Sequence, residues 1–159
     1  MLLKIVSGGQ TGVDRAALDA ALAISFPCGG WCPHGRRAED GIIPLDYPLK
    51  ETDQAAYEIR TRLNVRDSDG TLIITRGKPT GGTAYTIAET RKTGCPCLVI
   101  DLDEEERKNE IVSTVVTAKI TTWMNRERIC VLNVAGPRES KISGIYKDAL
   151  RVIKNLLDE

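Results

Sequence analysis

Ser7-Gly8-Gly9-Gln10-Thr11-Gly12-Val13-Asp14-Arg15 follows the apolar run Leu2, Leu3, Ile5, Val6 and opens into the Ala/Leu-rich segment Ala16 to Ile24. That order reads as the turn between a buried first strand and a first helix, spanning about Gly12 to Ile24, with Val13, Ala17, Leu18, Ala21 and Leu22 forming its apolar stripe. Three glycines and little side-chain bulk let a ligand approach backbone N–H groups at the positive end of a helix. Phosphate or another oxyanion is the natural guest.

Two further turns of the same kind follow strand-like runs. Thr71 to Thr75 runs into Arg76-Gly77-Lys78-Pro79-Thr80-Gly81-Gly82-Thr83 and a helix over about Ala84 to Thr93. Arg128 to Val134 runs into Ala135-Gly136-Pro137-Arg138-Glu139-Ser140 and a last helix over about Gly144 to Leu157. Between them lie a short strand near Pro27 to Trp31, a helix over Asp53 to Asn64 capped by Thr52, a strand Cys97 to Ile100, and a helix over Glu104 to Thr122 opened by an Asp103/Glu106 capping box. Strands alternating with helices predict one α/β domain over residues 1–159, a three-layer sandwich around a mostly parallel sheet of about five strands.

In such a sheet all strand-to-helix turns lie on one rim, and ligands sit where the strand order reverses. An order of 2-1-3-4-5 places that reversal between the first and third strands, the two that carry Gly8 to Gly12 and Gly81 to Thr83. Neither turn is a Walker loop, because no Gly-Lys-Ser/Thr closes the first and Lys78 precedes Gly81 in the second. Glycines at 8, 9 and 12 do not spell the dinucleotide-binding Gly-x-Gly-x-x-Gly either.

The 22 basic and 22 acidic residues cancel, so no global field drives the chain onto nucleic acid or anionic membranes, and any anion site is local. No apolar run approaches the roughly 20 residues of a membrane span, and the N-terminus lacks a secretory pattern, so the expectation is a soluble cytoplasmic protein. Five cysteines in irregular spacing and a single histidine, His34, do not describe a disulfide framework or a zinc site.

From Cys32 to Glu51 some twenty residues run without a steady period, too rich in Ile42, Ile43, Leu45 and Tyr47 to be unpacked. Arg36 and Arg37 in this loop, and Arg138 in the third turn, are candidates to fork onto phosphate or a molybdate-like oxyanion; each also has an acidic neighbour with which it could pair. Asp14 either orients a ribose or caps its own helix. Trp31 is either core or a stacking platform for a ring, and Cys32 beside it is the one thiol placed to touch a soft metal. Glu39, Asp40 and Glu139 are the carboxylates positioned to act as a general base, should the protein hydrolyse anything. An edge strand and the apolar loop Ile42 to Leu49 point to a homo-oligomer.

These residues carry a resemblance. Ser7 to Asp19, Gly29-Gly30-Trp31-Cys32-Pro33, Gly35 to Gly41, Tyr47-Pro48-Leu49, Ser68-Asp69-Gly70-Thr71-Leu72, Gly81-Gly82-Thr83 and Leu132 to Ser140 resemble the family of molybdenum carrier proteins, a circularly permuted, YpsA-like branch of the Rossmann-like SLOG superfamily. The resemblance implies a nucleotide-like or pterin-phosphate ligand, with molybdenum cofactor (molybdopterin) as the named guest. Together with the converging turns, the candidate ligand-binding residues are Gly8, Gly9, Gln10, Thr11, Gly12, Asp14, Arg15, Trp31, Arg36, Arg37, Gly81, Gly82, Thr83, Gly136, Arg138, Glu139 and Ser140. Wider relatives include phosphoribohydrolases and single-stranded DNA binders. The former carry Pro-Gly-Gly-x-Gly-Thr-x-x-Glu; here Pro79-Thr80-Gly81-Gly82-Thr83 is followed by its nearest acid, Glu89, six residues on instead of three. Zero net charge and few aromatics disfavour the DNA binder.

Overall fold

The structure is a computed structural model, and it describes residues 1–108 and 112–158. In chain order the elements are β1 (Lys4–Val6), α1 (Val13–Ala23), β2 (Cys28–Cys32), β3 (Arg37–Ala38), β4 (Gly41–Ile42), β5 (Leu49–Glu51), α2 (Tyr57–Arg66), β6 (Gly70–Thr75), α3 (Gly81–Thr93), β7 (Cys97–Asp101), α4 (Leu102–Lys108), α5 (Val112–Glu127), β8 (Val131–Ala135) and α6 (Ile145–Leu157). Six strands form a parallel sheet in the order β5-β2-β1-β8-β6-β7, and β3 and β4 make a separate antiparallel hairpin.

The α/β sandwich is as the alternation predicts, and its strand order is not. The last strand, β8, inserts between β1 and β6, pairing Ile5 with Leu132 on one side and Leu72 with Val134 on the other. The third glycine-bearing turn therefore lies between the other two instead of at an edge. Thr52 is not the cap of α2, which begins five residues later after Ala56; the Thr52 hydroxyl donates to the Gln54 carbonyl instead. The helix expected over Glu104 to Thr122 is described as α4 and α5, and the part of it at 109–111 lies outside the described residues.

The two faces of the sheet differ. Alternate residues of the central strands, Ile5, Leu72, Ile74, Leu132 and Val134, enter the main core with the apolar stripes of α1, α5 and α6. The other face of β6 and β8 carries Thr71, Ile73, Thr75 and Asn133, mostly polar, and the helices on that side are poor in apolar residues: α2 buries only Asn64 and Val65. A sheet face that cannot be sealed by hydrophobic packing leaves room for a polar cavity.

The Cys32 to Glu51 stretch is packed, as its composition predicts, with Ile43 and Leu49 buried against Leu18 and Cys32. It is held by Arg36 and yields the hairpin and the edge strand β5, while Ile42 and Leu45 are left exposed.

Candidate functional site

A cavity of about 600 Å³ opens at the carboxyl ends of β1, β8 and β6. Its floor is Thr75, Asn133 and Ala135 from the strands; its walls are Gly8, Gln10 and Asp14 from the first turn, Gly136, Pro137 and Arg138 from the third, and Thr80 to Thr83 from the second. A fourth wall comes from α2, which turns Tyr57, Glu58, Arg60, Thr61 and Asn64 towards it, the spacing of one helical face. Volume and concavity match a small-molecule site.

Charge is concentrated here. Arg60, Lys78, Arg138 and Lys141 line the cavity against Asp14 and Glu58, so a chain with no net charge is locally cationic at this point. Gly81 and Gly82 of the second turn sit inside the first turn of α3, whose N-cap Thr80 makes no side-chain cap. A Cβ placed on Gly81 would lie 3.2 Å from Lys141 Nζ, so the ammonium stands over the start of that helix. An uncapped helix N-terminus and an adjacent ammonium are complementary to one anionic group.

Asp14 Oδ2 accepts from Arg60 Nη1 at 3.1 Å and from the Gln10 N–H at 3.4 Å. Burial raises the Asp14 carboxyl above the usual range, against the opposing pull of Arg60. Arg60 crosses over Gly8, where a Cβ would stand 1.8 Å from Nη1. Its Nε is the one buried side-chain nitrogen or oxygen without a hydrogen-bond partner among the described residues. Tyr57 lies under the same guanidinium, 5.6 Å from the ring centre.

Of the residues singled out from sequence, Gly8, Gln10, Asp14, Gly81, Gly82, Thr83, Gly136 and Arg138 line the cavity. A second group meets just beside it. Glu39 at the hairpin tip accepts from the hydroxyls of Thr11 and Ser140 and from the Ser140 N–H at 3.2 Å, with Arg138 Nη1 at 3.7 Å. Its own N–H donates to Gln10 Oε1 at 2.9 Å. Burial works to raise the Glu39 carboxyl, but the bonds from Ser140 and Thr11 outweigh it and hold the group below the usual carboxylate range.

The remaining candidates have other partners. Arg36, expected on an anion, is buried, and its guanidinium donates to the carbonyls of Ile43, Leu49, Pro44 and Tyr47. Arg37 is exposed on β3. Arg15 donates to the Gly9 carbonyl and pairs with Asp40 at 3.1 Å, which holds the Asp40 carboxyl low. Glu139 accepts from the N–H groups of Gly144 at 2.5 Å and Tyr146 at 2.9 Å, capping α6. Trp31, expected as a stacking platform, donates from its indole to Asp67 at 2.9 Å and lies under Lys50, away from the cavity lining. Cys32 is fully buried beneath the hairpin, where desolvation pushes its thiol up. Gly9 and Gly12 serve protein packing. A Cβ on Gly12 would stand 2.3 Å from the Pro137 carbonyl, and one on Gly9 2.5 Å from Leu49.

Arg60, Tyr57, Lys78, Tyr85 and Lys141 line the cavity without having been singled out. The signals for the first two were the family resemblance, which extends to Arg60-Thr61 and Asn64-Val65, and a helical period that leaves Tyr57 and Arg60 off the apolar side of their helix.

The model of the circularly permutated YpsA SLOG family matches residues 5–157. No curated protein matches the sequence. Among solved structures, that of a "Putative molybdenum carrier protein" from Syntrophus aciditrophicus is similar at 44% identity and a TM-score of 0.92, over 98% of this chain and 95% of that one. With three glycine-bearing turns on one rim, a match over nearly the whole length and a close structural relative, the chain belongs to the circularly permuted YpsA family of SLOG proteins.

Proposed function

We propose that this protein binds a phosphorylated, nucleotide-like small molecule in the 600 Å³ cavity, as a carrier of the molybdenum-cofactor kind. The observation that carries the reading is the convergence of Lys78, Lys141, Arg138 and Arg60 with the uncapped start of α3, in a cavity also lined by Tyr57 and Tyr85, in a chain of zero net charge. The phosphate belongs at Gly81 to Thr83 beneath Lys141. The ring system belongs against a tyrosine face, and the hydroxyls of a sugar belong at Gln10 and Asp14. The neighbour's name supports a molybdenum-bearing guest. Among the described residues no group of three or more His, Cys, Asp or Glu side chains is placed to hold a metal ion. The cavity thus fits the organic phosphate of such a cofactor, and the metal would rest on the cofactor's own donors.

Thermal shift with nucleoside monophosphates, ADP-ribose and molybdopterin tests this. A ligand at about 100 times its Kd adds about 2.7 kcal/mol, a rise of roughly 5–10 °C for a domain of this size. Lys141→Ala should remove most of it. No shift with any of these compounds, or a shift indifferent to Lys141, overturns the reading.

One observation favours a second reading, a hydrolase. Asp14 is a cavity carboxyl held above its usual range beside an arginine, the arrangement of a general acid or base. Base or phosphate release from nucleotides that vanishes in Asp14→Asn would establish it; absence of any release removes it. The exposed Ile42 and Leu45 support the expected homo-oligomer, which a monomeric sedimentation profile would overturn.

A further inference from the structure

The hydrogen bonds around Glu39 have the make-up of an oxyanion site. Two hydroxyls, one backbone N–H and one guanidinium converge on its two carboxylate oxygens from two different turns, those after β1 and β8. No donor in this set belongs to the hairpin that carries Glu39. The geometry points to a second anion-binding position, a cradle of Thr11, Ser140 and Arg138 for a tetrahedral oxyanion, which the hairpin's own carboxylate occupies as an internal competitor.

Three observations support it. First, the cradle is built without the hairpin. Val13 N–H donates to the Pro137 carbonyl at 3.3 Å, Lys141 N–H to the Arg138 carbonyl at 3.0 Å, Glu139 N–H to Thr11 Oγ1 at 3.2 Å, and Ser7 Oγ to the Val134 carbonyl at 2.7 Å. The two turns approach so closely at Gly12 that no Cβ fits. Second, the hairpin has a fixed base and a tip held mainly by solvent-exposed contacts, which water can replace. Arg36 ties the base through four carbonyls, whereas the tip is held by Glu39, by the Asp40–Arg15 pair and by one bond to Gln10. The two tip residues are followed by Gly41 at φ +118°, with open space around it. Third, Arg138 and Gln10 belong to both places, lining the cavity and touching Glu39. An anion in the cradle would therefore lie at the cavity mouth, within reach of an outer phosphate of a longer ligand. The depressed Glu39 carboxyl is the electrostatic counterpart of the same donors, which favour negative charge whoever supplies it.

A tethered carboxylate competes with an effective concentration in the millimolar range or above, so a free oxyanion binds weakly to the native chain. Removing the competitor should raise the affinity for inorganic phosphate and for sulfate by about tenfold or more. Calorimetric titration of native protein, Glu39→Gln and Glu39→Ala with each salt at constant ionic strength reads this. The expected order is Ala above Gln above native, because glutamine still fills the cradle as a weaker, neutral plug. Adding Thr11→Val or Ser140→Ala to Glu39→Ala should abolish the gain. A nucleoside diphosphate that gains from Glu39→Ala more than the monophosphate does identifies the anion as the outer phosphate of the cavity ligand; equal gains identify a free oxyanion. Should Glu39→Ala lose its cooperative melt, Glu39→Gln carries the comparison, with a threefold gain as the threshold. The inference is overturned if neither variant binds more tightly than native protein, or if the gain survives loss of the Thr11 and Ser140 hydroxyls. It stands or falls apart from the cavity reading, which is tested through Lys141 with ligands that need not reach the cradle.

Discussion

Arg36→Ala separates two roles that the sequence leaves open for this arginine, and its expected effect is on stability. The guanidinium makes four bonds to carbonyl oxygens, with no carboxylate among its partners in the described residues: Ile43 at 2.9 Å, Leu49 at 3.1 Å, Pro44 at 2.7 Å and Tyr47 at 3.0 Å. The bonds to Ile43 and Leu49 are buried; those to Pro44 and Tyr47 are partly open, so water can replace them. Two buried bonds from a charged donor are worth about 1.5–3 kcal/mol each. Releasing the side chain returns up to about 2 kcal/mol of conformational entropy. A net loss of about 3 kcal/mol follows, or roughly 6–12 °C in Tm for a domain of this size. Arg36 sits at φ +53°, and alanine keeps that backbone strain, so the variant reports on the side chain alone. Arg36→Lys should recover less than half, since an ammonium cannot span four carbonyls. Urea denaturation gives the stability, and hydrogen exchange at Ile43 N–H, bonded to the Arg36 carbonyl at 2.7 Å, reports the loop itself. A loss under about 1 kcal/mol, together with abolished ligand binding, would refute the staple and restore the anion role.

Other outcomes follow from the same geometry. Gly12→Ala, at φ +78° and 2.3 Å from the Pro137 carbonyl, should cost about 3 kcal/mol or more, since both backbone and space are against it; a melt within 2 °C of native would contradict the close approach of the two turns. Gly8→Ala meets the Arg60 guanidinium at 1.8 Å and Asp14 Oδ2 at 2.9 Å, so it should push the buried Asp14–Arg60 pair apart, lowering Tm by several degrees and changing the Asp14 titration seen by NMR; an unaltered Tm and titration would contradict it. Asp40, held low by the Arg15 hydrogen bond, and Glu106, held low by Arg76, contribute stability that is present above their unfolded pKa and lost as pH falls through the folded one. The urea midpoint should therefore fall between about pH 5 and pH 2, less steeply in Arg76→Gln; identical slopes would remove Arg76 from the account.

Much of the lining of the candidate site is legible in the sequence, and for a common reason. A glycine-bearing turn between an apolar run and a helical period is a local pattern, and three such turns in a parallel sheet must share a rim. Gly8, Gln10, Asp14, Gly81 to Thr83, Gly136 and Arg138 were found that way and do line one cavity. Long charged side chains were not legible, because an arginine's partner depends on what folds against it. Arg36 stands in a loop that looks ready for an anion, yet it is enclosed by carbonyls of the same loop. Arg60, on a helix that the sequence gives without a site role, carries the unpartnered Nε.

Local composition by itself thus determined the strand-turn-helix units, the parallel sheet and the rim on which a ligand can sit. The tertiary structure alone decided that β8 enters between β1 and β6, bringing the third turn to the centre. It also decided that α2 supplies the missing cationic wall, and that the opening turn, Ser7 to Arg15, holds a carboxylate of its own chain at Thr11. Strand order and side-chain pairing are set by contacts between residues far apart in sequence, and no window of neighbouring residues contains them.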